Sequence, residues 1–183
     1  MIRALLWILG AILLGGIVHL STVLVMPQSA TQDAYSRLLP LTPMNAMVPL
    51  AAPTAETSIM PFMDPAFATA VCRYDLATGA IKFNAPLSQA YTSVTFYTRN
   101  SVAYYAIDDR AAGRRAIELD LMTPEQHAQV PEGEDVTAAD RLIIESPTKT
   151  GLIVLRALAP EPGLMAMARR ALAAAQCRIG PVQ

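Results

Sequence analysis

Residues 116–122 read Ala-Ile-Glu-Leu-Asp-Leu-Met, and their period of two decides what kind of domain surrounds them. Ile117, Leu119 and Leu121 share one face while Glu118 and Asp120 share the other, which marks a β-strand with one dry and one wet side. Such a strand has to bury its apolar face against a second layer. Outward from it, Ile81 to Asn84, Thr92 to Thr98, Val102 to Ile107, Arg141 to Glu145 and Leu152 to Leu158 are short runs rich in β-branched and aromatic residues. Turn-forming segments such as Asp108 to Arg115 and Ser146 to Gly151 separate them. Most of these connections are too short for parallel crossovers, so antiparallel pairing is expected. Leu152 to Leu155 is apolar on both faces, which predicts a central strand. Phe96, Tyr97, Tyr104 and Tyr105 are expected in the core and in cross-strand pairs.

Helical signals flank these runs. Asp64-Pro65 is a helix-start pair, and the spacing of Phe67, Val71 and Cys72 predicts a helix to about Tyr74, before the Thr78-Gly79 turn. Thr123 and Gln126 have capping-box spacing, predicting a turn or two of helix. From Pro162 onward, Leu164, Met167, Ala168, Ala171, Leu172 and Ala175 form a helical apolar stripe with Arg169 and Arg170 off it. The fold class expected is α+β: an N-terminal transmembrane helix, then a mainly antiparallel β-sheet domain flanked by short helices and a C-terminal helix.

Of the 183 residues, 53% are apolar and 16% charged, with 14 Lys+Arg against 15 Asp+Glu. A net charge of -1 excludes the basic footprint that non-specific nucleic-acid binding requires. The apolar content is too high for a disordered chain. Much of it lies in Ala4 to Met26, a stretch without formal charge that reaches roughly 34 Å as a helix and can cross a hydrocarbon core of ~30 Å. A cleaved signal peptide has a shorter apolar region and small residues at its cleavage site, whereas Gln28-Ser29-Ala30 places a bulky Gln there. An uncleaved anchor is therefore expected. Arg3 and the amino terminus are the only positive charges before the span, which leaves the N-terminus cytoplasmic and the remainder across a bacterial inner membrane, in the periplasm.

Within the span, Ala11, Gly15, His19 and Thr22 fall on one helix face, a candidate seam for docking a second membrane helix. The alternative for His19 is that it reaches the headgroups. Residues 27–61 contain Pro27, Pro40, Pro43, Pro49, Pro53 and Pro61, and read as an extended tether apart from a possible short helix around Asp33 to Leu39. Their Leu, Met and Val content suggests that much of this stretch lies against the folded body or a partner. The organisation expected is thus an anchor over 1–26, a tether over 27–61 and a periplasmic domain over 62–183.

Candidate chemistry in the body is sparse. Cys72 and Cys177 are the only cysteines; in an oxidising periplasm an even pair reads most simply as a disulfide, with buried thiols or a reactive thiol as alternatives. His127, beside Glu125 and Gln126, suggests a surface position, and a Gly-x-Ser-x-Gly motif is absent. One body histidine and two distant cysteines do not make a usual zinc set, and Glu132, Glu134, Asp135 and Asp140 do not match a calcium loop, so neither metal nor cofactor is expected. Asp108-Asp109-Arg110 and Gly113-Arg114-Arg115 form either an exposed charged turn or an anion cradle centred on Arg114 and Arg115. Arg156 interrupts the apolar run of 152–158. If buried it needs a carboxylate such as Asp75, and the sharper reading is a ligand-binding arginine.

The segments Phe62-Met63-Asp64-Pro65, Ala70-Val71-Cys72-Arg73-Tyr74-Asp75-Leu76, Ser93-Val94-Thr95-Phe96-Tyr97, Asp108 to Arg115, Thr137-Ala138-Ala139-Asp140-Arg141-Leu142-Ile143 and Leu155 to Pro162, in that order, carry a resemblance. Over almost its whole length the chain resembles the membrane-anchored branch of the bacterial family called domain of unknown function 1254 (DUF1254). That family brings no established reaction or catalytic residues. The resemblance implies a partner: larger relatives join this domain to a second β-rich domain, which in the anchored branch looks like a separate small membrane protein. The function expected is a non-enzymatic envelope subunit pairing with a companion single-pass membrane protein. The alternative is a periplasmic small-ligand binding domain or hydrolase using Arg114, Arg115 or Arg156.

Overall fold

The computed structural model describes residues 1–29, 33–54, 56–113, 116–130 and 142–180. It divides into two units, Met1–Asp33 and Ala34–Gln183. The first holds helix α1 (Ile2–Ser29). Over Ile2–Met26 this helix has a mean hydropathy of 2.3 and is long and apolar enough to cross a membrane.

In the second unit the described residues form two sheets. Five strands take the order β1 (Met47–Pro49), β2 (Phe67–Asp75), β8 (Thr150–Leu158), β4 (Thr92–Thr98) and β5 (Ala103–Asp108). Four others take the order β7 (Leu142–Glu145), β6 (Ala116–Met122), β3 (Ala80–Pro86) and β9 (Gln176–Gly180). Strand β8 is central, as its two-sided apolar run requires, with Val154 facing Val71 on one side and Thr95 on the other. Every pair of adjacent strands is antiparallel except β6 and β7, which run parallel from Leu119↔Leu142 to Met122↔Glu145. The chain between those two is long enough for a crossover.

The inner faces of the sheets pack on each other. Ala70, Cys72, Tyr74, Val94, Phe96, Ile153 and Leu155 meet Ile81, Phe83, Ile117, Leu119 and Leu121 in one buried cluster. Phe83 and Phe96 touch edge to face across it, centroids 6.3 Å apart. The register of β4 against β5 shifts at Phe96/Tyr97. Neighbouring Tyr104 and Tyr105 both reach the core through this bulge. Tyr74 Oη lies 2.9 Å from Ser146 Oγ and 3.1 Å from Tyr104 Oη, so the buried hydroxyls satisfy one another. Burial, and then Tyr74 beside it, push the Tyr104 hydroxyl far above its ordinary value, and it stays protonated. A side chain at Gly151 would approach the Tyr97 carbonyl oxygen to 2.2 Å and Tyr74 Oη to 2.3 Å, which explains the glycine in mid-strand. Helix α5 (Met165–Ala173) packs on β2 and β8 through buried Ala168 and Leu172.

Four expectations need correction. The helix predicted from Asp64 to Tyr74 is strand β2. Asp64 does close a turn, its Oδ1 accepting the Ala66 N–H at 2.9 Å, but the chain is extended from Phe67. Phe67 and Val71 have helical spacing and also the same parity, so their positions fit both structures; the alternating small and β-branched residues between them settle it as strand. Within the expected tether, the short helix anticipated around Asp33 to Leu39 forms, and the departure from an extended chain is a strand beyond it. Helix α2 (Ala34–Leu38) buries Tyr35 and Leu38, and β1 pairs with β2 from Met47↔Cys72 to Pro49↔Ala70, Pro49 lying on a sheet edge where proline is tolerated. The predicted turn at 108–115 contains helix α3 (Asp109–Ala112), with Asp108 Oδ1 accepting the Ala111 N–H at 2.9 Å. Finally, the chain continues past α5 into the short strand β9, where polar Gln176 and Arg178 alternate with Cys177 and Ile179. As expected, Thr123 and Gln126 form a capping box on helix α4 (Pro124–His127).

Cys72 and Cys177 are joined by a disulfide with Cα atoms 6.4 Å apart. It links β2 to β9, and so one sheet to the other. The bridge spans 105 positions, a loop for which chain-entropy arguments give up to about 4.7 kcal/mol. Urea unfolding with and without reductant should differ by several kcal/mol in that direction, and the oxidised chain should run faster on a denaturing gel. Identical mobility and midpoint in both would show the thiols to be unpaired.

Candidate functional site

The outer face of the five-stranded sheet carries three cross-strand rows of different chemistry. The first runs Thr69, Arg156, Ser93 and Asp108; the second Val71, Val154, Thr95 and Ala106; the third Arg73, Leu152, Tyr97 and Ala103. One end of the face is polar, and its middle is mostly apolar.

The third row is covered. Tyr35 and Leu38 of α2 pack with Val71 and Leu152, joined at the edge by Leu50, Ile59 and Met60. Arg73 is buried (7%) beneath α2. Its Nε donates to the Thr42 carbonyl at 3.0 Å and to Thr42 Oγ1 at 2.8 Å, and its Nη2 donates to the same carbonyl at 2.6 Å. The Tyr35 ring lies 5.4 Å from the Arg73 guanidinium carbon and 4.1 Å from that of Arg99. A carbonyl, a hydroxyl and an aromatic face thus hold this cation.

The cover extends over Val71 and part of Val154 in the second row, stops short of the first, and leaves two concavities that share Arg156. One, of about 340 Å³, lies between the sheet and the 59–63 turn, with Leu38, Leu50, Met60, Met63, Val71 and Val154 among its walls and Asp64 at its margin. The other, of about 430 Å³, is lined by Tyr91, Ser93, Thr95 and Asp108. At the mouth of the first, Phe62 is fully exposed (103%) with a left-handed backbone, φ 60°. A bulky residue held there is strained by about 1–3 kcal/mol.

The sequence candidates fare differently. Arg156 is exposed and, among the described residues, has neither ion-pair nor hydrogen-bond partner. The pairing with Asp75 does not form. Asp75 is six positions from Thr69, the residue that faces Arg156, roughly 20 Å along the strand. Its Oδ1 accepts the Ala77 N–H. The arginine buried on this face is Arg73, on β2. Position 156 tolerates charge because the face there is uncovered. Arg114 and Arg115 lie outside the described residues, as do Glu132, Glu134, Asp135 and Asp140. His127 is exposed, its Nδ1 2.6 Å from Glu145 Oε1. Ala11, Gly15, His19 and Thr22 are all on α1 and exposed, with Thr22 Oγ1 donating to the Val18 carbonyl at 2.8 Å. Among the described residues no three His, Cys, Asp or Glu side chains converge as a metal site would need.

The family described as "Protein of unknown function (DUF1254)" matches residues 44–179. The chain belongs to the DUF1254 family. The DUF1254 fold recurs in two solved structures. The VPA0106 protein from Vibrio parahaemolyticus is 13% identical with a TM-score of 0.57, covering 80% of this chain and 34% of its own. An uncharacterized protein from Burkholderia cenocepacia is 12% identical with a TM-score of 0.52, covering 80% of this chain and 37% of its own. The chain therefore spans about a third of the length of these relatives, which share its fold. No curated protein matches the sequence.

Phe62, Thr69 and Val154 were missed as site residues because the expected helix at 64–74 hid the outer face; the charge-free run Met60-Pro61-Phe62-Met63 was the available signal. The two arginines should separate cleanly in urea unfolding. Arg156→Gln should change stability by less than about 0.5 kcal/mol, as at exposed unpartnered sites. Arg73→Gln should lower it by about 1–3 kcal/mol by orphaning the Thr42 acceptors.

Proposed function

We propose that this protein is a non-enzymatic envelope subunit, held in the bacterial inner membrane by α1 with its N-terminus cytoplasmic and its C-terminal domain periplasmic, and that it pairs with a companion single-pass membrane protein. The observation that carries this reading is the 59–63 turn, which displays a strained, fully exposed Phe62 beside a partly covered apolar sheet face. Free-standing domains gain nothing from such a residue, whereas buried aromatic anchors dominate interfaces. Two further facts support it. Among the described residues there is one span-length apolar helix, and the solved structures that share the fold carry roughly twice as much further polypeptide. Ala11, Gly15, His19 and Thr22 supply the small-residue face for the companion's helix.

A second reading, a periplasmic small-ligand binding domain, is favoured by the two concavities meeting at Arg156. Neither concavity is lined by a histidine or a cysteine among the described residues, and the reading takes its binding form.

Affinity purification of a tagged full-length chain from membranes should recover one companion at equal stoichiometry. Phe62→Ser should weaken recovery at least ten-fold, and Gly15→Leu with His19→Leu should weaken it independently. A chain that emerges alone and monomeric, with crosslinker present, overturns the pairing.

A further inference from the structure

We propose that the outer-face groove binds a medium-chain amphipathic monocarboxylate, its carboxylate on Arg156 and its alkyl chain in the cavity beneath the 59–63 turn. This rests on the small-ligand reading and names the ligand class that the groove fits.

The walls argue for an alkyl chain. The cavity of about 340 Å³ is at the lower end of small-molecule sites, ~300–1,000 Å³. Among the described residues Asp64 and Arg156 are its only charged lining residues. Met60 and Met63, unbranched and adaptable, close it from the turn side and suit a flexible unbranched guest. Leu152, Val154 and Arg156 share one face of β8, so a chain laid along that strand from Arg156 past Val154 has less than roughly 13 Å before α2, which covers Leu152, stops it.

The polar end argues for a single negative charge. Arg156 offers a planar fork that matches a carboxylate, and no side chain or carbonyl among the described residues occupies it. Thr69 and Ser93 flank it on the neighbouring strands with neutral hydroxyls. Asp64 and Asp108 stand at the margins of the two concavities, each already accepting one backbone N–H. Two acidic neighbours around one guanidinium repel a dianion such as a phosphate monoester more than a monoanion. The stretch holding the apolar tail and the cation holding the head therefore specify different ends of one molecule.

The test uses the full-length chain in lipid nanodiscs and two photoreactive probes, decanoic acid and decanol, each with a diazirine near its tail. Adducts are mapped by peptide mass spectrometry. The acid should label peptides containing Met60, Val71 and Val154, above labelling by the alcohol. Arg156→Gln, whose fold is checked by circular dichroism, should cut acid labelling there at least ten-fold and leave alcohol labelling within two-fold. Val154→Trp, which fills the cavity, should abolish both. Acid labelling unchanged in Arg156→Gln overturns the carboxylate assignment and leaves the small-ligand reading standing. Adducts confined to α1, with none on the groove peptides from either probe, overturn both.

Discussion

A strand that is apolar on both sides needs cover on both sides, and β8 imposes that demand on the rest of the molecule. Its inner residues Ile153 and Leu155 are met by the second sheet, which accounts for the two-layer architecture and for the disulfide between layers. Its outer residues Leu152 and Val154 have no third sheet to meet. They are covered instead by Tyr35, Leu38, Leu50 and Met60, from a proline-rich stretch that would otherwise be a linker. Because α2 has only five residues and β1 only three, this cover ends before the face does. The groove is the remainder of that mismatch.

Two arginines on this face show how burial decides a cation's role. Arg73 is under α2, and its guanidinium is committed to one threonine and one aromatic ring, so it fixes the helix onto the sheet. Arg156, two rows away on the open part of the face, spends nothing on the fold. An exposed guanidinium without a structural partner is a standing attraction for an anion, strengthened by the low-dielectric walls beside it.

Much of the fold was legible because period two is a robust signal: Thr92–Thr98 and Ala116–Met122 coincide with strands to the residue. The errors share a cause. At Phe67 and Val71 helix and strand periodicities agree over the short interval, and an Asp-Pro pair tipped the reading toward helix, although it only closes a turn. Cys177 is in a strand of five residues that follows a helix directly, too short for alternation to register. The site was less legible than the fold. Arg156 stood out as an anomaly in an apolar run, yet its exposure depended on where α2 stops, a tertiary fact that no local pattern encodes. Phe62 is in the same position, because exposure and backbone handedness are both consequences of packing.

The pairing pattern has a temporal side. Phe67 pairs with Leu158, and Ile81 with Ile179, so both sheets are closed by strands from the far end of the chain. Strand β2 is made early and has to wait for β8, its inner apolar face uncovered through the synthesis of everything between. Non-local closure of this kind is slow compared with local helix or hairpin formation. The nascent domain therefore passes through a long interval as a single half-built layer, open to aggregation, in which a holding chaperone would matter more than it does to the finished protein.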